Sequence, residues 1–338
     1  MNAMERYLTY YCRFVGAGFI AATVGLSPSI AADKLKVTLN WTPDTPSVGI
    51  VYADVLDYYK NAGIDLLIEP GKGSGTTSQL VAAGSTDVGL ANGPSAIAIA
   101  AKGAPIKIIA PIFQAAEWGV ISLNDAPISR PKDLEGKTIA MAAGSADVAL
   151  FQMMVDANGV DKSKINILSA DASGDIGLLA EKKVDGVSAA PGDVMVPLAA
   201  KGIKTKIMYY RDNGAPLVGL SIIARDDKLK QNPDLYKRFV EATLKGYSAA
   251  AKDPGAAVDA LRSRYSDAPA KSALMEDFTK YYMADFCVAG ATGLGKPPVS
   301  LWVATGKALT ATLGSLGNDG IEAKHTEDYL PPQVPPCP

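Results

Sequence analysis

At 338 residues, with 48% hydrophobic, 20% charged and 7% aromatic side chains, the chain is long enough for two domains and too apolar for a disordered or fibrous one. Its 33 basic and 35 acidic residues nearly cancel, leaving a net charge of −2, and no block of like charge interrupts it. Neither nucleic acid nor an anionic membrane surface is therefore an expected partner, and affinity for any ligand must come from a local site.

Residues 1–31 differ from everything after them. Arg6 and Arg13 flank the start, Phe14 to Leu26 is apolar, and Ser29-Ile30-Ala31 supplies small residues. The apolar stretch is shorter than the roughly 20 residues a membrane helix needs, so the segment reads as a cleaved Sec-type signal peptide, with the mature protein beginning near Ala32. Cys12 follows Thr9-Tyr10-Tyr11 rather than a lipoprotein cleavage sequence. A soluble, periplasmic protein is expected. Its two remaining cysteines, Cys287 and Cys337, either pair and hold the tail Pro331 to Pro338, or stay as one buried and one free thiol.

From there short apolar runs alternate with helical stretches punctuated by glycine. Leu35 to Asn40 reads as a strand, Val48 to Ala62 as a helix closed by Gly63, and Ile64 to Glu69 as the next strand. Gly71 to Gly75 is a loop, Thr76 to Ala83 a short helix and Asp87 to Ala91 a strand; Asn92-Gly93-Pro94-Ser95 opens an Ala/Ile-rich helix stopping at Gly103, and Ile106 to Ala110 is a fourth strand. After Trp118 to Leu123 and the polar turn Ser129 to Lys137 the pattern restarts. Strands at Thr138 to Met141, Ile165 to Ser169, Asp185 to Ala189 and Lys206 to Tyr210 alternate with helices opened at Ala143-Gly144-Ser145 and Gly174. Val218 to Arg225 is extended and apolar, a return crossing. Helices then follow from Asn232-Pro233 and Asp253-Pro254, where a capping side chain precedes a proline at the first helical position, and at Ala270 to Phe286 and Val299 to Leu313. The alternation predicts an α/β fold of two lobes, each a mainly parallel sheet flanked by helices. Lobe one takes residues 33–122 plus 217–330, lobe two takes 123–216, two hinge strands join them, and 331–338 form a tail.

In an open α/β sheet, loops leaving the carboxyl ends of strands converge on one edge, and the following helices aim unpaired N–H groups there. Five loops hold that position: Asn40-Trp41-Thr42-Pro43, Gly73-Ser74-Gly75-Thr76-Thr77, Asn92-Gly93-Pro94-Ser95, Ala143-Gly144-Ser145 and Ala190-Pro191-Gly192-Asp193. The glycine-rich loop matches neither a Walker A sequence nor GxGxxG. Ser74, Gly75 and Thr76 there either let backbone amides and hydroxyls approach a ligand or make an ordinary connection. Trp41 and Trp118 either stack on a ligand ring or fill core, and Asp193 either accepts hydrogen bonds from an amine or amidine-like edge or caps its own helix. Enzymatic readings fare badly. The one histidine, His325, reads as a solvated tail residue, no zinc-like ligand spacing occurs, and no cofactor is expected.

The runs Asn40-Trp41-Thr42-Pro43-Asp44-Thr45, Gly73-Ser74-Gly75, Leu80 to Gly89, Asp133 to Ala140 and Gly214-Ala215-Pro216 resemble type 2 periplasmic binding proteins over roughly residues 35 to 315. Within these the chain is similar to the group serving nitrate, taurine, alkanesulfonate and thiamine-pyrimidine importers, and Thr-Pro-Asp-Thr after Trp41 is most similar to the thiamine-precursor branch. The resemblance implies a monomeric, non-enzymatic substrate-binding protein that hands a small molecule to an ABC permease in the inner membrane. That branch also contains a fungal pyrimidine synthase using histidine chemistry and a cysteine-rich motif, and this sequence has neither. No arginine occupies the five loops and Lys72 is the only cation beside them. A pyrimidine-like vitamin precursor is therefore expected, stacked on Trp41 and Trp118 and tethered by Asp193, with Asn92 and Gln114 as further polar contacts. An organic sulfonate, taurine or nitrate held at the helix N-termini led by Ser74, Ser95 and Ser145 is the alternative.

Overall fold

The structure, a computed structural model, describes residues 32–141, 146–170, 172–317 and 319–338. The signal-peptide segment and Ser145 lie outside the described residues. The chain begins with strand β1 (Asp33–Thr38), a 3-10 turn (Thr45–Ser47), helices α1 (Val48–Val55) and α2 (Tyr58–Asn61), and β2 (Ile64–Glu69). Next come α3 (Ser74–Ala82), β3 (Val88–Asn92), α4 (Gly93–Ala101) and β4 (Ile106–Pro111). A second series runs β5 (Gly119–Leu123), β6 (Thr138–Met141), α5 (Ala146–Ala157), β7 (Asn166–Ser169), α6 (Ala172–Ala180), β8 (Gly186–Ala189), α7 (Pro191–Ala200) and β9 (Thr205–Tyr209). After β10 (Leu220–Arg225) the chain is helical: α8 (Asp226–Gln231), α9 (Pro233–Lys252), α10 (Pro254–Arg264), α11 (Lys271–Lys280), a 3-10 turn (Tyr282–Asp285) and α12 (Val299–Leu313).

The strands form two five-stranded sheets, ordered β2-β1-β3-β10-β4 and β7-β6-β8-β5-β9. In the first, β1 pairs in parallel with β2 and β3 while β10 runs antiparallel to β3 and β4; in the second, β6 is parallel to β7 and β8 while β5 runs antiparallel to β8 and β9. Each sheet thus has one reversed strand, and it is the strand entered by a crossing from the other sheet. Gly119–Leu123 accordingly pairs within the second sheet, whereas residues up to 122 were expected with the first lobe. The α/β fold of two sheets with flanking helices is the one expected.

Two expected helices are broken. Val48 to Ala62 divides at Asp57, whose φ of 56° is left-handed, a conformation that aspartate's short polar side chain tolerates. The turn lets Tyr59 go into the core, where its hydroxyl lies 2.8 Å from that of Thr243. Ala270 to Phe286 becomes α11 plus the 3-10 turn.

Alternate residues of each strand feed opposite faces, so the two sheets support three clusters of buried apolar side chains. One lies between the first sheet and α1, α9 and α10, including Val37, Leu90, Phe239 and Leu261. Another lies on the far face of the second sheet with α6 and α7, including Ile121, Val187 and Leu198. The remaining cluster is continuous from Ile97 and Ile108 through Leu217 and Val218 to Val120, Ile139 and Met154, with Leu301 and Trp302 of α12 in it. Apolar packing therefore runs from one sheet to the other beside the crossings. Cys287 and Cys337 are joined, with Cα atoms 5.9 Å apart. The tail before that link runs along the edge strand β4, where the Thr326 N–H donates to the Ile108 carbonyl at 2.9 Å, and covers it. His325 is not the solvated residue expected: its ring stacks on Trp302 with centroids 3.9 Å apart and planes 3° from parallel, because the linked tail presses it against α12. Among the described residues no helix is long and apolar enough to cross a membrane.

Candidate ligand-binding site

The carboxyl ends of β1 and β3, the first crossing, the N-terminus of α7 and the segment from α11 to the following 3-10 turn bring acidic and amide side chains together. Asp44 sits in the loop after β1. Ser47 satisfies that loop's backbone, accepting from the Asp44 N–H at 3.0 Å and donating to the Asp44 carbonyl at 2.8 Å, which leaves the carboxyl group for other partners. Asn92 ends β3, Glu117 lies two residues before β5, Asp193 is in the first turn of α7, and Asp277 and Asp285 come from α11 and the 3-10 turn. Asn92, Glu117 and Asp277 are each 6% exposed, and Asp285 1%.

These groups share one electrostatic environment. Burial, reinforced by Asp193, Asp277 and Glu117, holds the half-buried Asp44 carboxyl well above the usual carboxylate range. Burial likewise pushes Glu117 up to about 7 and Asp277 up to about 7, with Asp193 raising both further; Arg211 acts against the rise at Glu117. Asp285 is pushed up to about 8 by burial, with Arg211 opposing. Oxygen atoms of Asn40, Asp44, Asn92, Glu117 and Asp277 are sealed from solvent with no hydrogen-bond donor. Unpartnered buried acceptors are costly, and five residues carrying them come together here. Among the described residues no group of three or more His, Cys, Asp or Glu side chains is arranged to hold a metal ion.

The residues expected from sequence fall around this cluster with different duties. Trp41 is 51% exposed on the β1 exit loop. Ser74 opens α3, and its hydroxyl accepts from the Asn92 N–H at 3.0 Å, so it sets the β3 exit. Gly75 is half-buried and Thr76 exposed in that same turn, and Ser95 is half-buried in the first turn of α4. The glycine that its loop cannot do without is Gly71, where a Cβ would lie 2.7 Å from the Leu39 carbonyl carbon. Gln114 has a scaffolding duty: its amide donates to the Gly293 carbonyl at 2.7 Å and accepts from the Val288 N–H at 3.3 Å. Trp118 is half-buried and packs on the cluster shared by the two sheets. Asp193 lies at the exposed edge of the acids, its field reaching Asp44, Glu117 and Asp277.

Sequence reasoning missed Asp44, Glu117, Asp277, Asp285 and Arg211. Asp44 and Glu117 adjoin singled-out residues, and a search for acids beside strand ends would have found them. Asp277 and Asp285 lie in a helical region with no strand-end signal, and only the packing of α11 against α7 reveals them.

The NMT1/THI5-like family profile matches residues 44–257. A formylaminopyrimidine-binding protein of Halalkalibacterium halodurans is 23% identical over 242 residues, 70% of this chain and 72% of that one. The riboflavin-binding protein RibY of Chloroflexus aurantiacus is 19% identical, with 92% and 90% covered. A 4-amino-5-hydroxymethyl-2-methylpyrimidine phosphate synthase of Saccharomyces cerevisiae is 30% identical over 112 residues, 32% of this chain and 33% of that one. Among solved structures, the alkanesulfonate-binding protein SsuA of Xanthomonas axonopodis pv. citri superposes with a TM-score of 0.64 at 14% identity, covering 89% of this chain and 99% of that one; the fold is that of periplasmic binding proteins.

Proposed function

The chain belongs to the NMT1/THI5-like family, and we propose that within it this protein is an exported binding protein that captures a small, donor-rich heteroaromatic of the aminopyrimidine type and delivers it to an ABC permease. The observation that carries this reading is the set of buried acceptors on Asn40, Asp44, Asn92, Glu117 and Asp277, which an exocyclic amine and a protonated ring nitrogen would satisfy. Trp41 would cover the ring face at the mouth and Asp193 would hold the outer edge. The formylaminopyrimidine-binding relative, matched over most of both chains, supports the same ligand class. Export by a signal peptide at residues 1–31 belongs to this reading, as does a division into lobes that follows the sheets, with Gly119–Leu123 in the second lobe.

The sulfonate or nitrate alternative is disfavoured by these acids, which repel an anion wherever they ionise. The synthase alternative draws on a match to a third of the chain, and His325 is stacked on Trp302 while Cys287 and Cys337 are paired, so neither supplies that chemistry. Native mass spectrometry of freshly purified protein, followed by calorimetry with 4-amino-5-hydroxymethyl-2-methylpyrimidine, riboflavin and taurine, tests the reading. Stoichiometric pyrimidine binding without turnover is expected. Preferential taurine binding, or conversion of the pyrimidine to a product, would overturn it.

A further inference from the structure

Arg211 stands at the second crossing, in the 3-10 turn Arg211–Asn213 that follows β9. Its guanidinium makes three contacts of different kinds. Nη1 lies 2.7 Å from Asp285 Oδ1, the same nitrogen donates to the Ala116 carbonyl at 3.1 Å, and the group covers the Tyr209 ring at 3.8 Å from its centroid. Ala116 belongs to the first crossing and immediately precedes Glu117. Asp285, for its part, accepts at its main-chain carbonyl from the N–H groups of Gln114 and Ala115, at 2.7 and 3.2 Å. A closed ring of contacts therefore surrounds residues 114–116: the Asp285 backbone holds one side, the Asp285 carboxylate holds Arg211, and Arg211 holds the other side. One guanidinium nitrogen serves the carboxyl group and the carbonyl at once while the planar group lies over the Tyr209 ring, a combination that an ammonium does not reproduce.

We propose that Arg211 is the positioning residue of the site, fixing from the second crossing the first-crossing backbone on which Glu117 is presented to the ligand. The proposal rests on the ligand reading above. The Arg211 charge lowers the pKa of two acids in the cluster, Glu117 and Asp285. The other groups acting on Glu117 are Asp193 of α7 and the side chain of Asn92, while Asp44, Asp277 of α11, Asp285 and Tyr282 respond to its charge. All of the charged ones are acidic, so removing the guanidinium leaves only the hydrogen bonds from the Glu117 main chain and the Asn92 side chain to oppose burial, and Glu117 ionises at higher pH.

The test is calorimetric titration of 4-amino-5-hydroxymethyl-2-methylpyrimidine between pH 5.5 and 8.5 into the wild type, Arg211→Gln and Arg211→Lys. Because Glu117 is the stronger acceptor once ionised, affinity should rise with pH; Arg211→Gln should bind on the order of tenfold more weakly at pH 7 and show that rise displaced upward by about one unit. Arg211→Lys should return the pH profile to that of the wild type while restoring only part of the affinity, because charge survives and the planar group over Tyr209 does not. A glutamine variant within twofold of the wild type overturns the proposal. So does one whose affinity falls with the pH profile unmoved, since that is the mark of general loosening. If the wild type itself takes no pyrimidine, the ligand reading fails first, and melting curves of the ligand-free proteins decide the proposal. Stability should then fall more steeply from pH 5 to 8 in Arg211→Gln than in the wild type, and equal slopes overturn it.

Discussion

Gly192 occupies the place where the second sheet's α7 meets α11. It precedes Asp193 in the first turn of α7, and a Cβ built on it would lie 2.7 Å from Asp277 Cγ and 2.8 Å from Oδ1. Carbon atoms in good contact are about 3.5–4.0 Å apart, so Gly192→Ala forces α7 and α11 to separate by on the order of 1 Å, or drives the Asp277 carboxyl from its place beside Thr45. Its φ is not in the left-handed region, so alanine brings no backbone strain and the effect is one of volume. Overpacking of this kind costs roughly 1–3 kcal/mol. If α7 and α11 come together only when the site closes on its ligand, that cost falls on the bound state and appears as an affinity loss of about 5- to 150-fold. The denaturant midpoint of the ligand-free protein should barely move, because an open arrangement relieves the contact. Calorimetry and urea unfolding on the same preparation separate the two quantities. Wild-type affinity in Gly192→Ala, or a fall in ligand-free stability as large as the fall in affinity, would refute the identification of this contact as a closure contact.

The buried acids should make the ligand-free protein less stable as pH rises. Glu117 and Asp277 near 7 and Asp285 near 8 bind protons in the folded state that the unfolded chain releases nearer pH 4, so stability present at pH 4 is lost through pH 7–8, roughly 3–6 kcal/mol per group; melting from pH 5 to 8 should show the decline, Glu117→Gln should flatten it, and a rise over that range counts against the cluster being neutral. Cys337→Ser should lower unfolding free energy by about 4 kcal/mol, the loop-closure value for a link spanning 50 residues, and an unchanged urea midpoint would show that the tail adds nothing. Trp41→Ala should cost the pyrimidine about 1–3 kcal/mol of binding by analogy with base stacking, with little effect on stability since the indole is half exposed, and undiminished affinity would remove Trp41 from the site.

What the sequence made legible was periodicity and punctuation. Strand Thr138–Met141 and helix Val299–Leu313 fall where alternation and flanking glycine or proline put them. The loops at strand ends were legible too, because in an α/β sheet their convergence follows from chain direction alone. The contents of the site were less so. Glycines and hydroxyls drew attention as ligand groups, yet Ser74 serves the β3 exit and Gly71 admits the β1 exit loop, tasks visible only once neighbouring backbone is in place. Gln114 looked like a polar contact because its amide partners, Val288 and Gly293, lie far along the chain. Asp277 and Asp285 carried no signal, since an acid in an amphipathic helix reads as solvated surface until a second element covers it. Asp57 broke an otherwise continuous apolar pattern because burying Tyr59 outweighed the preference of one residue.

The distribution of apolar and polar packing also says which side of the molecule can open. Beside the crossings one apolar cluster passes without interruption from Ile97 and Ile108 to Ile139 and Met154, with α12 lying across it and touching both α4 and α5. Separating the sheets on that side would expose close-packed core, at about 25 cal/mol for each Å² uncovered. On the other side the sheets are bridged by α7 against α11, where a glycine meets a carboxyl group and the buried neighbours are acids. Parting that contact gives water to Asp277, Glu117 and Asp44, groups whose burial is unfavourable, so opening there is opposed by far less. Rotation about the α12 side would then carry Asp193 away from Asp277 and admit a ligand past Trp41. A donor-rich ligand reverses the balance by supplying the hydrogen bonds these acids lack when the site is shut. On this argument the same unsatisfied oxygens that choose the ligand also lower the free energy needed to open the empty protein, which ties selectivity and closure to one set of side chains.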